Sequence, residues 1–185
     1  AAIAACFLYE LYGDRSYLAK AQALFAWEKN TLVEPESGKV WDNIRTNGVI
    51  GHKCFSYNQG TFIGAANYLY KLTGTNAYYE AALQAARYAQ TNLGYGGILP
   101  VYGGGDAAGF NGIFVRWMAR FAKDQHLWSE FHPWLLQNAE IAWRVRRADN
   151  LSWHKWSTPT PDQVLNSWSC SDTVVILQVV PPKLP

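Results

Sequence analysis

The segment LYELYGDRSYLAKA, beginning at Leu8, returns as LYKLTGTNAYYEAA at Leu69, an offset of 61 residues. The Leu, Tyr, Leu, Gly, Tyr and final Ala recur in register, and the pairs Ala4-Ala5 and Ala65-Ala66 match ahead of them. Each copy reads as helix, glycine-containing turn and helix, an αα-hairpin, and a chain that repeats such a unit must bury the repeated apolar faces against one another. The expected class is therefore all-α. In the first copy Ile3, Cys6, Phe7 and Glu10 fall three to four residues apart. Gly13 ends that helix, Asp14 or Ser16 caps the next, and Tyr17, Leu18, Ala21, Leu24, Phe25 and Glu28 continue the stripe.

Between the hairpins lies VEPESGKVWDNIRTNGVIGHKCFSYNQG, rich in Gly, Asn and Pro, and a comparable stretch, GYGGILPVYGGGDAAGF, follows the second copy. A third helix is expected over NGIFVRWMARFAKD and a fourth through PWLLQNAEIAWRVRRA. Short turns alternate with long loops, so the long loops gather at one end of the bundle, where a site is expected. Tyr57-Asn58-Gln59-Gly60 reads as the end of such a loop, introducing a helix. The carboxyl-terminal TVVILQVV reads as a frayed apolar stretch halted by Pro181 and Pro182. Residue 1 already lies inside the helical pattern with no cap before it. The expectation is a single domain over residues 1–185 that begins in mid-fold.

With 185 residues the chain is long enough to bury about 70% of its unfolded surface. Only 16% of residues are charged, 15% are aromatic, and there are nine Trp and eleven Tyr. These two residue types join an apolar face to a polar tip and suit sugar surfaces as well as cores. A net charge of +2, with no basic run beyond Arg144-Val145-Arg146-Arg147, argues against a nucleic-acid surface. Three cysteines without a CxxC spacing support neither a zinc site nor a disulfide framework, and a Cys54–Cys170 bridge stays open. His52 with Cys54, and His126 with His132, lack the partners a metal needs. No apolar run is long enough for a membrane span. The amino terminus has no basic region of a signal peptide.

The candidate binding residues lie in the long loops and at the helix starts that follow them. Asn58 and Gln59 each carry a donor and an acceptor, as a sugar hydroxyl requires, and Tyr57 offers a ring face. Asn58 also fits the role of a helix cap. Asp106, Phe110, Asn111 and Arg116 form a second group, reached through Gly103 to Gly105. Arg116 would orient Asp42 or Asp106, or make an interhelical salt bridge. Trp117, Trp128, Trp134 and Trp143 lie at helical spacings and read as core, which leaves Trp41, beside Asp42, as the stacking residue.

In order along the chain, LYELYGDRSYL, GKVWDNI, YNQG, LYKLTGTNAYY and FNGIFVRW resemble the pattern of glycoside hydrolase family 76, from Ala1 to about Trp168. The resemblance implies part of an (α/α)6 toroid and an endo-α-1,6-mannanase type of activity with no cofactor. It implies a retaining mechanism carried by two adjacent aspartates, whereas this chain has no Asp-Asp pair. No catalytic residue can be assigned on it, and the chain alone is expected to be inactive. Asp42 matches the aspartate of the family's VYDG motif and so reads as an acceptor for mannose hydroxyls; as a loop or capping aspartate it needs no sugar. The implied partner is α-mannan or a mannose-containing oligosaccharide, and the implied location is extracellular or at the cell envelope. A non-catalytic carbohydrate-binding protein or a mannan transglycosylase-like cell-wall protein is the alternative. A sugar epimerase would need histidines facing the cleft, and the four present fall outside the motifs. A helical-repeat interaction module would not call for Asn- and Asp-rich loops at one end. Helix faces left without neighbours invite self-association.

Overall fold

The structure, a computed structural model, describes residues 1–180. It forms two compact units, Ala1–Ala89 and Gln90–Pro185. The helices are α1 (Ala2–Tyr12), α2 (Arg15–Leu32), α3 (Ser56–Thr73), α4 (Asn76–Asn92), α5 (Phe110–Asp124), α6 (Trp128–Arg144) and α7 (Ser167–Val179). A two-stranded sheet pairs β1 (Asn43–Ile44) antiparallel with β2 (Ile50–Gly51) in the α2–α3 connection. The all-α reading is what the structure shows.

In the first unit the repeat is visible as two hairpins with the same chemistry. Gly13 and Gly74 end α1 and α3 at φ 70° and 68°, and each donates its amide to the carbonyl four residues back. Asp14 caps α2 by accepting the Ser16 amide at 2.8 Å. Twelve of the eighteen residues of α3 are buried but only Ala21, Phe25 and Leu32 of α2, so α3 is central and α2 peripheral. Alanines explain the close fit. Ala81, Ala82, Ala85, Ala86 and Ala89 form the buried stripe of α4. On the periphery Leu24 and Trp27 are exposed, as are Phe7, Leu11 and Tyr12 of α1. No other atom lies within 4 Å of a methyl placed on Gly13 or Gly74. Gly13→Ala and Gly74→Ala should therefore each lower stability by about 1 kcal/mol through backbone strain alone. Urea unfolding of the two variants checks this.

In the second unit α5 packs against α6 and α7. Phe114, Met118 and Phe121 of α5, Phe131 and Leu135 of α6, and Ile176 of α7 are fully buried. Two expectations change here. The stretch read as frayed is the latter part of α7, which starts at Ser167 under an Asn166 cap that accepts the Ser169 amide at 2.7 Å. Its alternation of small polar and apolar residues, SWSCSDTVVIL, hides a helix buried on several sides. Pro181 and Pro182 lie outside the described residues. The fourth helix begins at Trp128, five residues before the expected start, because Pro133 is accommodated within its early turns.

Trp134 is core, as expected, but Trp143 is 37% exposed and lies under the Arg146 guanidinium at 3.8 Å. A second buried indole, and the more deeply buried, is Trp156 in the α6–α7 connection. Its Nε1 donates to the Thr173 hydroxyl at 3.0 Å. Ser152 in turn donates to the Ala142 carbonyl at 2.8 Å, so this long connection is tied to both α6 and α7.

Candidate functional site

In the first unit the α2–α3 connection is anchored from two helices. Gln84 of α4 donates to the carbonyls of Pro35 and Glu36 at 2.8 and 3.0 Å. Gln59 of α3 donates to the Gly38 carbonyl at 3.4 Å. Gly38 has φ 78°, and a Cβ there would come within 3 Å of Gln84, so the loop can lie this close only with glycine. Beyond the anchor the chain forms the β1–β2 hairpin. The Asp42 amide donates to the Lys53 carbonyl at 2.9 Å.

This framework brings Asp42 to the start of α3. Its Oδ1 accepts the Tyr57 hydroxyl at 2.6 Å and its Oδ2 accepts the Asn43 amide at 2.7 Å. Burial, with the bond to Asp42 second, pushes the Tyr57 phenol above its usual range, so it stays a donor at neutral pH. Trp41 is half-buried and its ring lies 4.7 Å from that of His52. Asp42 and Tyr57 thus form a half-exposed pair, a carboxylate with open acceptor capacity beside a phenol ring that stacks on Phe55 at 6.2 Å, with Trp41 preceding Asp42 in the chain.

The YNQG segment is the first turn of α3 and not the end of a loop, since the helix begins at Ser56. Asn58 explains the earlier start: at the third helical position, its Oδ1 accepts the Phe55 amide at 3.2 Å, the backward half of a capping box. Asn58 is 7% exposed and Gln59 wholly buried. In this conformation Gln59 has no surface to offer a sugar, and its amide holds the Gly38 loop. Cys54 also lies beside it, at 3.9 Å. Among the described residues Gln59 Oε1 has no hydrogen-bond partner. All three cysteines are free thiols. No three His, Cys, Asp or Glu groups are placed to hold a metal among the described residues.

In the second unit Asp106 lies exposed in a 3-10 turn, Gly105–Gly109, that leads directly into α5. Phe110 is half-buried, edge to face with Tyr102 at 5.5 Å. Asn111 is 2% exposed and donates to the Pro100 carbonyl at 2.9 Å, so it braces the preceding loop. Arg116 is exposed and among the described residues pairs with no acid, contrary to the expected orienting of an aspartate.

Sequence reading missed two residues of α7 that shape this region. Trp168 donates its Nε1 proton to the Asp106 carbonyl at 3.1 Å. Its benzo ring lies on Gly109, where a Cβ would come within 2.0 Å. Because the α5 cap is therefore a glycine with no side chain, the free amides at the start of α5 need another acceptor. Asp172, 1% exposed, supplies it: Oδ1 accepts the Gly112 amide at 2.6 Å, and the Asn111 amide also donates to this carboxylate. Gly112 is glycine because a Cβ would meet that same oxygen at 2.6 Å. The two glycines of GFNG were the available signal.

Paired antiparallel helices joined by alternating short turns and long connections define an α-helical-hairpin domain. The family model for glycosyl hydrolase family 76 matches residues 1–180, and the chain belongs to that family. Among solved structures it resembles the GH76A α-1,6-mannanase from Salegentibacter sp. HEL1_6, with 34% identity and a TM-score of 0.90. The match covers 97% of this chain and 56% of that one. An inactive variant of the same enzyme, carrying substitutions at two consecutive aspartates, was solved with α-1,6-mannotetraose and matches equally well. The Lin0763 protein from Listeria innocua is 26% identical, with a TM-score of 0.89, over 97% of this chain and 52% of that one. No curated protein sequence matches. The chain thus spans about half the length of the solved structures it resembles, and its αα-hairpins are those of part of an (α/α)6 toroid.

Proposed function

We propose that these 185 residues supply a mannan-binding surface of a glycoside hydrolase acting on α-1,6-linked mannan, and that the carboxylate pair performing the retaining chemistry is not among them. The observation that carries the reading is Asp42. It is a half-buried carboxylate, oriented by the Tyr57 hydroxyl at 2.6 Å and the Asn43 amide at 2.7 Å, next to Trp41. Both oxygens keep lone pairs for further donors, and hydrogen bonds from hydroxyls to an oriented carboxylate are among the stronger neutral-to-charged contacts. The likeness to a mannanase solved with α-1,6-mannotetraose supports mannose as the sugar. Residence outside the cell or at its envelope is proposed on the same likeness.

Calorimetric titration with α-1,6-mannotetraose tests the reading. The chain should bind it, and Asp42→Asn, which keeps the Tyr57 bond but removes the charge, should weaken binding by about tenfold or more. A non-catalytic carbohydrate-binding protein predicts the same affinity, and hydrolysis separates the two. Absence of any heat for the unaltered chain would sink both.

A further inference from the structure

We infer that Trp168 and Asp106 form a second sugar-binding point, in which the exposed part of the indole stacks on a mannosyl ring and the Asp106 carboxylate accepts from its hydroxyls. The proposal rests on the mannan reading above and extends it to the second unit.

Trp168 is 45% exposed, an unusual state for a side chain fastened at two places. Its N–H is committed to the Asp106 carbonyl at 3.1 Å, and one side of its benzo ring is covered by Gly109. The ring is thus fixed before any ligand arrives, so stacking on it costs little side-chain entropy. Both anchors are specific. Phenylalanine could not make the first, and any residue larger than glycine at 109 would dislodge the second. Trp27 is as exposed as Trp168, so exposure alone does not set Trp168 apart; the two anchors do. An indole presented in this way suits the apolar C–H face of a pyranose, because its electron-rich surface faces those hydrogens.

Asp106 completes the recognition. The residue whose backbone carbonyl receives the indole N–H carries its own carboxylate into solvent, so the acceptor is tethered to the same residue that anchors the ring. Neither mean charge nor exposure distinguishes Asp106 from other surface aspartates; its coupling to Trp168 does. Asp14, Asp124 and Asp149, by contrast, are engaged with Ser16, Arg120 and Arg147.

The test is titration of α-1,6-mannotetraose into the full chain and into Trp168→Leu, Trp168→Phe, Asp106→Asn and Asp42→Asn, each checked by circular dichroism and its melting temperature. Trp168→Leu keeps apolar bulk on Gly109 but has no ring, whereas Trp168→Phe keeps a ring without the N–H. Expected is a loss of about tenfold for Trp168→Leu, a smaller loss for Trp168→Phe, and about fivefold for Asp106→Asn, at unchanged helix content. If Trp168→Leu binds as the unaltered chain does while Asp42→Asn is weakened, the second point does not exist and the mannan reading stands. If Trp168→Phe is as weak as Trp168→Leu at equal stability, the N–H anchor and not stacking carries the effect, and the proposal is overturned. If the unaltered chain binds nothing, both fall together.

Discussion

On α-1,6-mannan the 185 residues are expected to release no reducing ends, whereas a family member of the full length of the solved mannanase, carrying an Asp-Asp pair, should release them at least about 1,000-fold faster. Removing a covalent nucleophile costs several powers of ten in rate, and loss of the acid/base partner with it leaves only binding. Retention requires two carboxyl groups about 5 to 5.5 Å apart across the scissile bond. No two aspartates are adjacent in this sequence, and several of its aspartates are committed elsewhere. Asp14 caps α2, Asp124 pairs with Arg120 at 2.9 Å, and Asp149 pairs with Arg147 at 2.6 Å. The Arg147 guanidinium holds the Asp149 carboxyl down at about 2, so it cannot serve as a proton donor near neutrality. Asp172 is wholly enclosed, and Asp42 is turned toward Tyr57 and Asn43. That the structurally similar Salegentibacter enzyme was inactivated at two consecutive aspartates agrees with this division of labour. A reducing-sugar assay on both proteins decides it. Cleavage by the short chain would put Asp42 and Asp106 first among residues to mutate.

How much of this was legible in advance depends on whether the signal is local. The hairpin repeat was, because Gly13 and Gly74 terminate helices through their own backbone geometry and Asp14 caps through a contact two residues away. The start of α3 was misplaced by a few residues because Asn58 caps backward onto Phe55, a pattern that reads equally well as a polar loop. Asp42 and Tyr57 were each singled out, but that they bond to one another depends on a hairpin anchored by Gln59 and Gln84, which the local pattern does not contain. Gln59 itself illustrates the reverse error. A side chain with donors and acceptors suits a sugar, and it suits a buried loop carbonyl just as well. Trp168 and Asp172 were invisible because their partners, Asp106, Gly109 and Gly112, lie about sixty residues earlier in the chain.

Asp172 should make the stability of this protein fall as pH rises from about 4 to about 7. Two influences oppose each other at its carboxyl. The amides of Gly112 and Asn111, at the positive end of α5, favour the charged form. Enclosure disfavours it, and Oδ2 has no hydrogen-bond partner among the described residues to offset that cost. Burial is the larger influence, and the pKa is pushed up to about 7. An unfolded aspartate loses its proton near pH 3.9, so between these values the folded chain holds a proton that the unfolded chain has released. Stability contributed by this group is therefore fully present below about pH 4, declines as pH rises, and levels off above about 7. A gap of about three pKa units corresponds to a change on the order of 4 kcal/mol. Asp172→Asn keeps an oxygen for the Gly112 amide and cannot ionise. Its extra N–H adds only a pH-independent offset, so the comparison rests on slope. Urea unfolding of both proteins between pH 4.5 and 8 should show the asparagine variant gaining on the unaltered chain by several kcal/mol as pH rises. The opposite slope would mean that the helix-start amides outweigh burial and that Asp172 works as a charged cap. In that case Asp172→Asn would cost most at neutral pH, where the charge it removes is present.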